Sequence, residues 1–220
     1  MSVELFDAIH ENNIVRVREL IAAGADINSR NNSLVNTWPY YYENTALEIA
    51  IFRIHSNMDI IRELINAGAN VNTIRDIPYT TYSKIPLHFA SIIGNVNAVR
   101  ALIDAGADVN FKDKLGYNAL DIIFEHYSQE HINTYPHATQ DNMLIIMNML
   151  LDAGTNVNAQ NKYGTTNIMN ICTSQDISIP PEHNIFDKKI FINALLDRGA
   201  NIDLQDKYGN TALMLTIYIC

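Results

Sequence analysis

Five times along the 220 residues one phrase returns: two aliphatics, two variable residues, a glycine, then a small turn cluster that closes on Asn or Asp. The copies run Leu20-Ile21 to Gly24-Ala25-Asp26-Ile27-Asn28, Leu64-Ile65 to Gly68-Ala69-Asn70-Val71-Asn72, and Leu102-Ile103 to Gly106-Ala107-Asp108-Val109-Asn110. Leu150-Leu151 to Gly154-Thr155-Asn156-Val157-Asn158 and Leu195-Leu196 to Gly199-Ala200-Asn201-Ile202-Asp203 complete the set. Self-similarity of this kind constrains the fold more than any single element does. A short unit cannot bury its own apolar face, so successive units must stack and share a core.

The phrase reads as the end of a helix. A glycine just past the last turn takes a left-handed backbone conformation without a Cβ penalty. The Asp or Asn that follows bonds nearby backbone and favours a turn, and the next Val or Ile is expected to anchor the connection. A tight turn comes next in three copies: Asp113-Lys114-Leu115-Gly116, Asn161-Lys162-Tyr163-Gly164 and Asp206-Lys207-Tyr208-Gly209. New helices then open at Thr45-Ala46-Leu47, Pro86-Leu87-His88, Asn118-Ala119-Leu120, Thr166-Asn167-Ile168 and Thr211-Ala212-Leu213, with Thr or Asn as cap and Pro in a first turn. A second helix follows each of the first four, with apolar residues at helical spacing such as Ile60, Ile61, Leu64 and Ile65.

Helix, turn, helix and hairpin-like loop, repeated, resemble the ankyrin repeat family over nearly the whole chain. The resemblance implies an all-α solenoid of stacked antiparallel helix pairs, with loops projecting from one edge and a concave inner-helix face that binds protein partners. Leu5, Ala8, Leu47, Ala50, Leu87, Ala90 and Leu120 match the family's inner-helix core, and the paired aliphatics match its outer-helix core. A single domain over 1–220 is expected, in units of about 1–33, 34–75, 76–113, 114–161 and 162–206, with a partial unit at 207–220.

Departures from the family pattern carry the functional expectation. The five glycines stand 44, 38, 48 and 45 residues apart, against a family period of about 33. The surplus in the second and third units precedes the inner helix, on the hairpin edge, and brings Trp38, Tyr40, Tyr41 and Tyr42, then Tyr79 and Tyr82. Trp and Tyr supply large, rigid contact area at low entropic cost. These six rings, with Lys112, Lys114, Leu115 and Tyr117 extending the same edge, form the expected partner-binding set; closure of the rings over their own helices is the competing reading. The later surplus, 127–140 and 173–187, lies between helices and is expected on the opposite edge.

No catalytic constellation is visible, and the chain is expected to be neither an enzyme nor dependent on a cofactor. His126, His131 and His137, with Glu125 and Glu130, match no zinc spacing; a metal-dependent activity built on them is the weakest alternative. Lys and Arg number 15 against 24 Asp and Glu, a formal charge of -9, and no polybasic run occurs, which argues against nucleic acid or an anionic membrane. Such an acidic surface suits a protein partner with a basic face. Two cysteines fit no disulfide framework or zinc site and favour a reducing, cytoplasmic setting, with Cys172 expected as buried packing. Asn28, Asn72, Asn110 and Asn158 have the spacing of residues that asparaginyl hydroxylases modify in this family, beside the simpler role of turn residues.

At the amino end, two helices, 3–10 and 14–23, are expected to form a polar cap. At the other end a sixth unit begins at Thr211 and stops before its outer helix. Continuation in a longer protein is the favoured explanation, with docking of a second copy on that edge, or packing back on the fifth unit as an abbreviated cap, as the alternatives; a monomer is expected. The 31 Ile and 27 Asn against five Gln suggest an AT-rich genome, and by family association a host-directed effector of an intracellular microbe or a virus.

Overall fold

The same backbone arrangement ends a helix at all five glycines. At Gly68 the amide donates to the Ile65 carbonyl at 3.0 Å and the following Ala69 amide donates to the Leu64 carbonyl at 2.9 Å. This pair of reversed bonds satisfies carbonyls that the last turn would otherwise leave bare, and it requires the left-handed φ of 92° found at Gly68. Ala25, Ala69, Ala107 and Thr155, the residues after the first four glycines, are buried and seal the ends of their helices.

The computed structural model describes residues 2–31, 44–52, 57–76, 83–125, 138–173 and 187–217. Within them the chain is helical: α1 Ser2–His10, α2 Ile14–Ala22, α3 Ala46–Phe52, α4 Met58–Asn66, α5 Pro86–Ile92, α6 Val96–Asp104, α7 Ala119–Glu125, α8 Gln140–Asp152, α9 Asn167–Thr173, α10 Lys188–Asp197 and α11 Ala212–Ile217. One short antiparallel ladder joins β1 Arg75–Asp76 to β2 Ser83–Lys84. The chain divides into two compact units, Met1–Ala90 with Asn97–Asp108, and Ser91–Val96 with Val109–Cys220.

In the first unit α1 packs on α2 and α3, and the outer helix α4 packs on α2 and α3. In the second, α7 packs on α8 and α9, and α9 packs in turn on α10 and α11. The inner-helix residues expected in the core are all there: Leu5, Ala8, Leu47, Ala50, Leu87, Ala90 and Leu120 are buried. Each Leu removed from water in this way contributes about 1.5–3 kcal/mol. The outer helices differ from expectation. Leu20, Leu64, Leu102, Leu150 and Leu195 are buried, but Ile21, Ile65 and Ile103 are half-buried and Leu196 is 42% exposed. Adjacent residues on a helix point about 100° apart, so the packed face takes the first of each pair most fully, and only in the fourth pair is the second, Leu151, buried as well. The anchoring role of the later Val or Ile is also narrower than expected: Val71 and Val109 are buried, Ile27 and Val157 half-buried, and Ile202 exposed. On α11, Leu213 and Met214 are exposed.

Within each compact unit the phrase's final asparagine ties one repeat to the next. Asn28 Nδ2 donates to the Gly68 carbonyl at 3.2 Å while its Oδ1 accepts the Asn70 amide at 2.8 Å. Asn72 makes the same pair with Gly106 and Asp108, at 3.1 and 2.8 Å. In the second unit Asn110 bridges to Gly154 and Asn156, and Asn158 to Gly199 and Asn201. Only a primary amide carries a donor and an acceptor side by side, which fits one carbonyl and one N–H at fixed spacing. Asp203 stands at this position in the fifth phrase.

Helix starts follow the predicted caps. Thr45 and Glu48 form a reciprocal box: Thr45 N donates to Glu48 Oε2 at 2.7 Å, and Glu48 N donates to Thr45 Oγ1 at 3.3 Å. Asn118 and Asp121 repeat it on α7. Glu48 is fully buried, with Oε1 lacking a hydrogen bond. Burial pushes its carboxyl above the ordinary glutamate range, opposed by Thr45 and by the Arg75 and Arg30 charges.

Two outcomes follow for stability. Replacing Asn72 by Ala removes both bridging bonds and costs about 1–2 kcal/mol in urea unfolding. Asn72→Asp is no better at neutral pH, because a carboxylate sets an acceptor against the Gly106 carbonyl; restoration of parental stability by Asp contradicts the bridge. For Glu48, a folded-state value above the unfolded one means the native chain holds the proton longer, so stability falls as pH rises from the ordinary glutamate range through the raised value. Glu48→Gln therefore gains on the parent as pH rises from 4 to 8 in thermal unfolding, and a pH-independent difference contradicts this.

Candidate functional site: the hairpin edge

The segment between an outer helix and the next inner helix is where the sequence places the binding surface. In the second unit three tight turns stand there, built alike. Asp113 Oδ1 accepts the amides of Leu115 and Tyr117 at 2.8 and 2.9 Å. Asn161 Oδ1 does the same for Tyr163 and Thr165 at 2.8 and 3.0 Å, and Asp206 Oδ1 for Tyr208 and Asn210 at 2.8 and 2.9 Å. Each side chain thus holds its own turn closed. At Asp206 burial opposes ionisation, but hydrogen bonds from Asn210, Tyr208 and Gly209 outweigh it and hold the carboxyl below the usual carboxylate range.

The tips are also bonded to one another. Lys162 N donates to the Leu115 carbonyl at 2.9 Å and Lys207 N to the Tyr163 carbonyl at 2.8 Å. A Cβ on Gly116 would lie 2.8 Å from Lys162 N, and one on Gly164 would lie 2.9 Å from Lys207 N, so glycine is what permits the tips to touch. Gln160 braces them further, its Nε2 donating to the Gly164 and Gln205 carbonyls at 2.7 and 3.0 Å. The result is a row of three backbone-linked tips.

Along that row the side chains alternate between rings and cations. Lys162 and Lys207 place their Nζ 4.9 and 4.5 Å from the centre of the Tyr163 ring, and Lys207 lies 4.9 Å from that of Tyr208. Tyr163 is 36% exposed and Tyr208 76%. Each cation–ring contact at so exposed a place contributes about 0.5–1 kcal/mol, enough to bias side-chain positions.

The predicted contact residues distribute unevenly over this geometry. Lys112 and Lys114 are exposed and Tyr117 half-buried, on the first tip or beside it; Lys112 Nζ donates to the Gln160 carbonyl at 2.9 Å. Leu115 is a correction: its side chain is buried and packs inward, and only its carbonyl takes part in the edge. Alternating side chains of a tight turn cannot all face outward. Trp38, Tyr40, Tyr41, Tyr42, Tyr79 and Tyr82 lie outside the described residues, although the bases of their loops do not. The first loop is closed by an antiparallel bridge between Arg30 and Thr45, with Asn31 N donating to the Asn44 carbonyl at 2.9 Å. The second is closed by the β1–β2 ladder, where buried Arg75 lies 5.5 Å over the Phe89 ring.

Tyr163, Tyr208, Lys162 and Lys207 were absent from the expected contact set. Their signal is the Lys-aromatic-Gly turn repeated at constant phase, which reads first as turn formation. Of the remaining candidates, His126, His131, His137 and Glu130 fall outside the described residues, among which no group of three His, Cys, Asp or Glu is placed to hold a metal. Cys172 is half-buried rather than fully packed, and burial pushes its thiol above the ordinary range, opposed by Lys188, which is the reverse of an activated nucleophile. No helix among the described residues is long and apolar enough to cross a membrane.

A family model of ankyrin repeats, in three copies, matches residues 5–113 and 56–133. The crystal structure of an ankyrin repeat protein superimposes with a TM-score of 0.68 at 18% identity, covering 99% of this chain and 92% of that one; at that identity the likeness concerns the fold. No curated protein matches the sequence. With the matched repeats spanning more than half of its residues, the chain belongs to the ankyrin repeat family.

Proposed function

We propose that this protein is a binding scaffold that captures a partner protein along its hairpin edge and inner-helix face, with the aromatic loop insertions as anchors. Ankyrin repeats are generally protein-interaction modules of a non-enzymatic kind, and the observation that carries the reading here is the tip row. Three turns closed by Asp113, Asn161 and Asp206 and bonded to each other hold exposed Tyr163 and Tyr208 on a rigid support. Rings ordered before contact lose little entropy on binding, which is what an anchor residue needs. By sequence, Trp38, Tyr40, Tyr41, Tyr42, Tyr79 and Tyr82 of the insertions offer the same aromatic chemistry, and Lys112, Lys114 and Tyr117 belong to the first of the three turns or lie beside it. The excess of Ile and Asn over Gln further supports a host-directed role for a microbial or viral protein working in cytoplasm.

Capture from host-cell lysate compares the parent chain with two variants, Trp38→Ala/Tyr41→Ala/Tyr79→Ala and Tyr163→Ala/Tyr208→Ala. Loss of the same captured protein by the loop variant, at least tenfold and with helical circular dichroism unchanged, is the expected result. Full retention by both variants contradicts binding through the hairpin edge.

A further inference from the structure

The tips of the second unit carry an unusual concentration of one charge. Four of the seven lysines in the chain, Lys112, Lys114, Lys162 and Lys207, stand in or beside the three turns, in a protein whose net charge is -9. Several other cations meet carboxylates: Arg16 meets Glu19 at 2.9 Å, Arg18 meets Glu63 at 2.8 Å, and Arg198 meets Asp152 at 2.8 Å. Lys162 and Lys207 lie over tyrosine rings instead, and neither forms an ion pair with a carboxylate of the described residues. The acidic side chains of the same turns face the other way. Asp113 is buried, and both Asp113 and Asp206 are turned onto backbone amides of their own tips.

We propose that this tip row is a docking strip for an extended acidic segment of a partner protein, its carboxylates meeting Lys162 and Lys207 and its apolar or aromatic side chains covering Tyr163 and Tyr208. The inference rests on the scaffold reading above and specifies one partner chemistry within it. Extension follows from the geometry: backbone bonds run from tip to tip, so a ligand that reaches all three must lie across them. Alternation of ring and ammonium along the row asks for alternation of apolar and acidic groups in the ligand. A nucleic acid or a lipid surface fits less well, since either brings a large uniform negative field against an acidic chain. A short peptide confines its charge to the strip, within a Debye length of about 8 Å at physiological salt. The overall acidity had suggested a partner with a basic face; the local arrangement at these tips points to the opposite sign.

The test uses the full chain and fluorescence anisotropy with a labelled twelve-residue peptide of alternating Glu and Tyr or Leu, beside its Gln-substituted neutral counterpart. Single-stranded RNA and phosphatidylserine vesicles are measured in parallel. The acidic peptide is expected to bind at least tenfold more tightly than the neutral one and to weaken between 50 and 300 mM salt. Lys162→Glu/Lys207→Glu abolishes that binding and Lys162→Gln/Lys207→Gln reduces it, whereas the control reversal Lys188→Glu/Lys189→Glu on α10 leaves it unchanged, with unfolding curves showing all variants folded. Equal affinity for both peptides, equal loss from the control reversal, or tighter binding of RNA or vesicles overturns the proposal. If the peptide fails while lysate capture still depends on Trp38, Tyr41 and Tyr79, the strip is excluded and the scaffold stands.

Discussion

A primary amide spanning one carbonyl and one amide of the next loop is the contact on which the rest of the structure depends. Asn28, Asn72, Asn110 and Asn158 each reach about forty residues along the chain to a glycine carbonyl and to the amide two residues beyond it. The target exists only because the glycine has turned the chain out of its helix. Cap and bridge therefore presuppose each other: the left-handed turn frees the carbonyl, and the asparagine fixes the distance at which the next helix pair packs. Individually such bonds contribute about 1 kcal/mol. Repeated at the same place within each compact unit, they hold successive loops in register.

Fixing the loops in register is also what organises the hairpin edge of the second unit. Tips separated by 40 to 50 residues in sequence are brought to hydrogen-bonding distance, so Lys162 N finds the Leu115 carbonyl and Lys207 N that of Tyr163. Glycine at 116 and 164 allows that approach. Side chains that sequence separates widely then act as one surface, in which Lys207 faces two rings at once. Within the same unit the Asn118–Asp121 box caps the inner helix α7 that follows the first tip.

Much of this was legible in the residues because each feature is enforced by local chemistry. A glycine after two aliphatics at helical phase ends a helix wherever it stands, and Thr or Asn before Ala-Leu begins one. Burial of Leu5, Leu47, Leu87 and Leu120 followed from their place in the repeat. Features that depend on a neighbour were not legible. Whether Ile21 or Leu20 faces inward is decided by rotation of the outer helix on its partners, and exposure of Ile202 and Leu196 by what packs on the fifth unit. Leu115 lies on the edge by its place in the loop, but its side chain is buried. The display of Tyr163 and Tyr208 is not legible either, since nothing local distinguishes a turn-forming Lys-Tyr-Gly from a displayed one. The bridging asparagines read as turn formers, their longer reach being a property of the stacked array.

Amide hydrogen exchange at Asn70, Asp108, Asn156 and Asn201 tests the bridge most directly. These four residues are exposed and their amides lie outside any helix, so protection there comes from the asparagine side chains that accept from them. The account predicts slow exchange at all four in the parent chain, with Asn28→Ala accelerating Asn70 and Asn158→Ala accelerating Asn201. Exchange at the rate of an unstructured loop in the parent chain, or protection that survives removal of the bridging side chain, would contradict it.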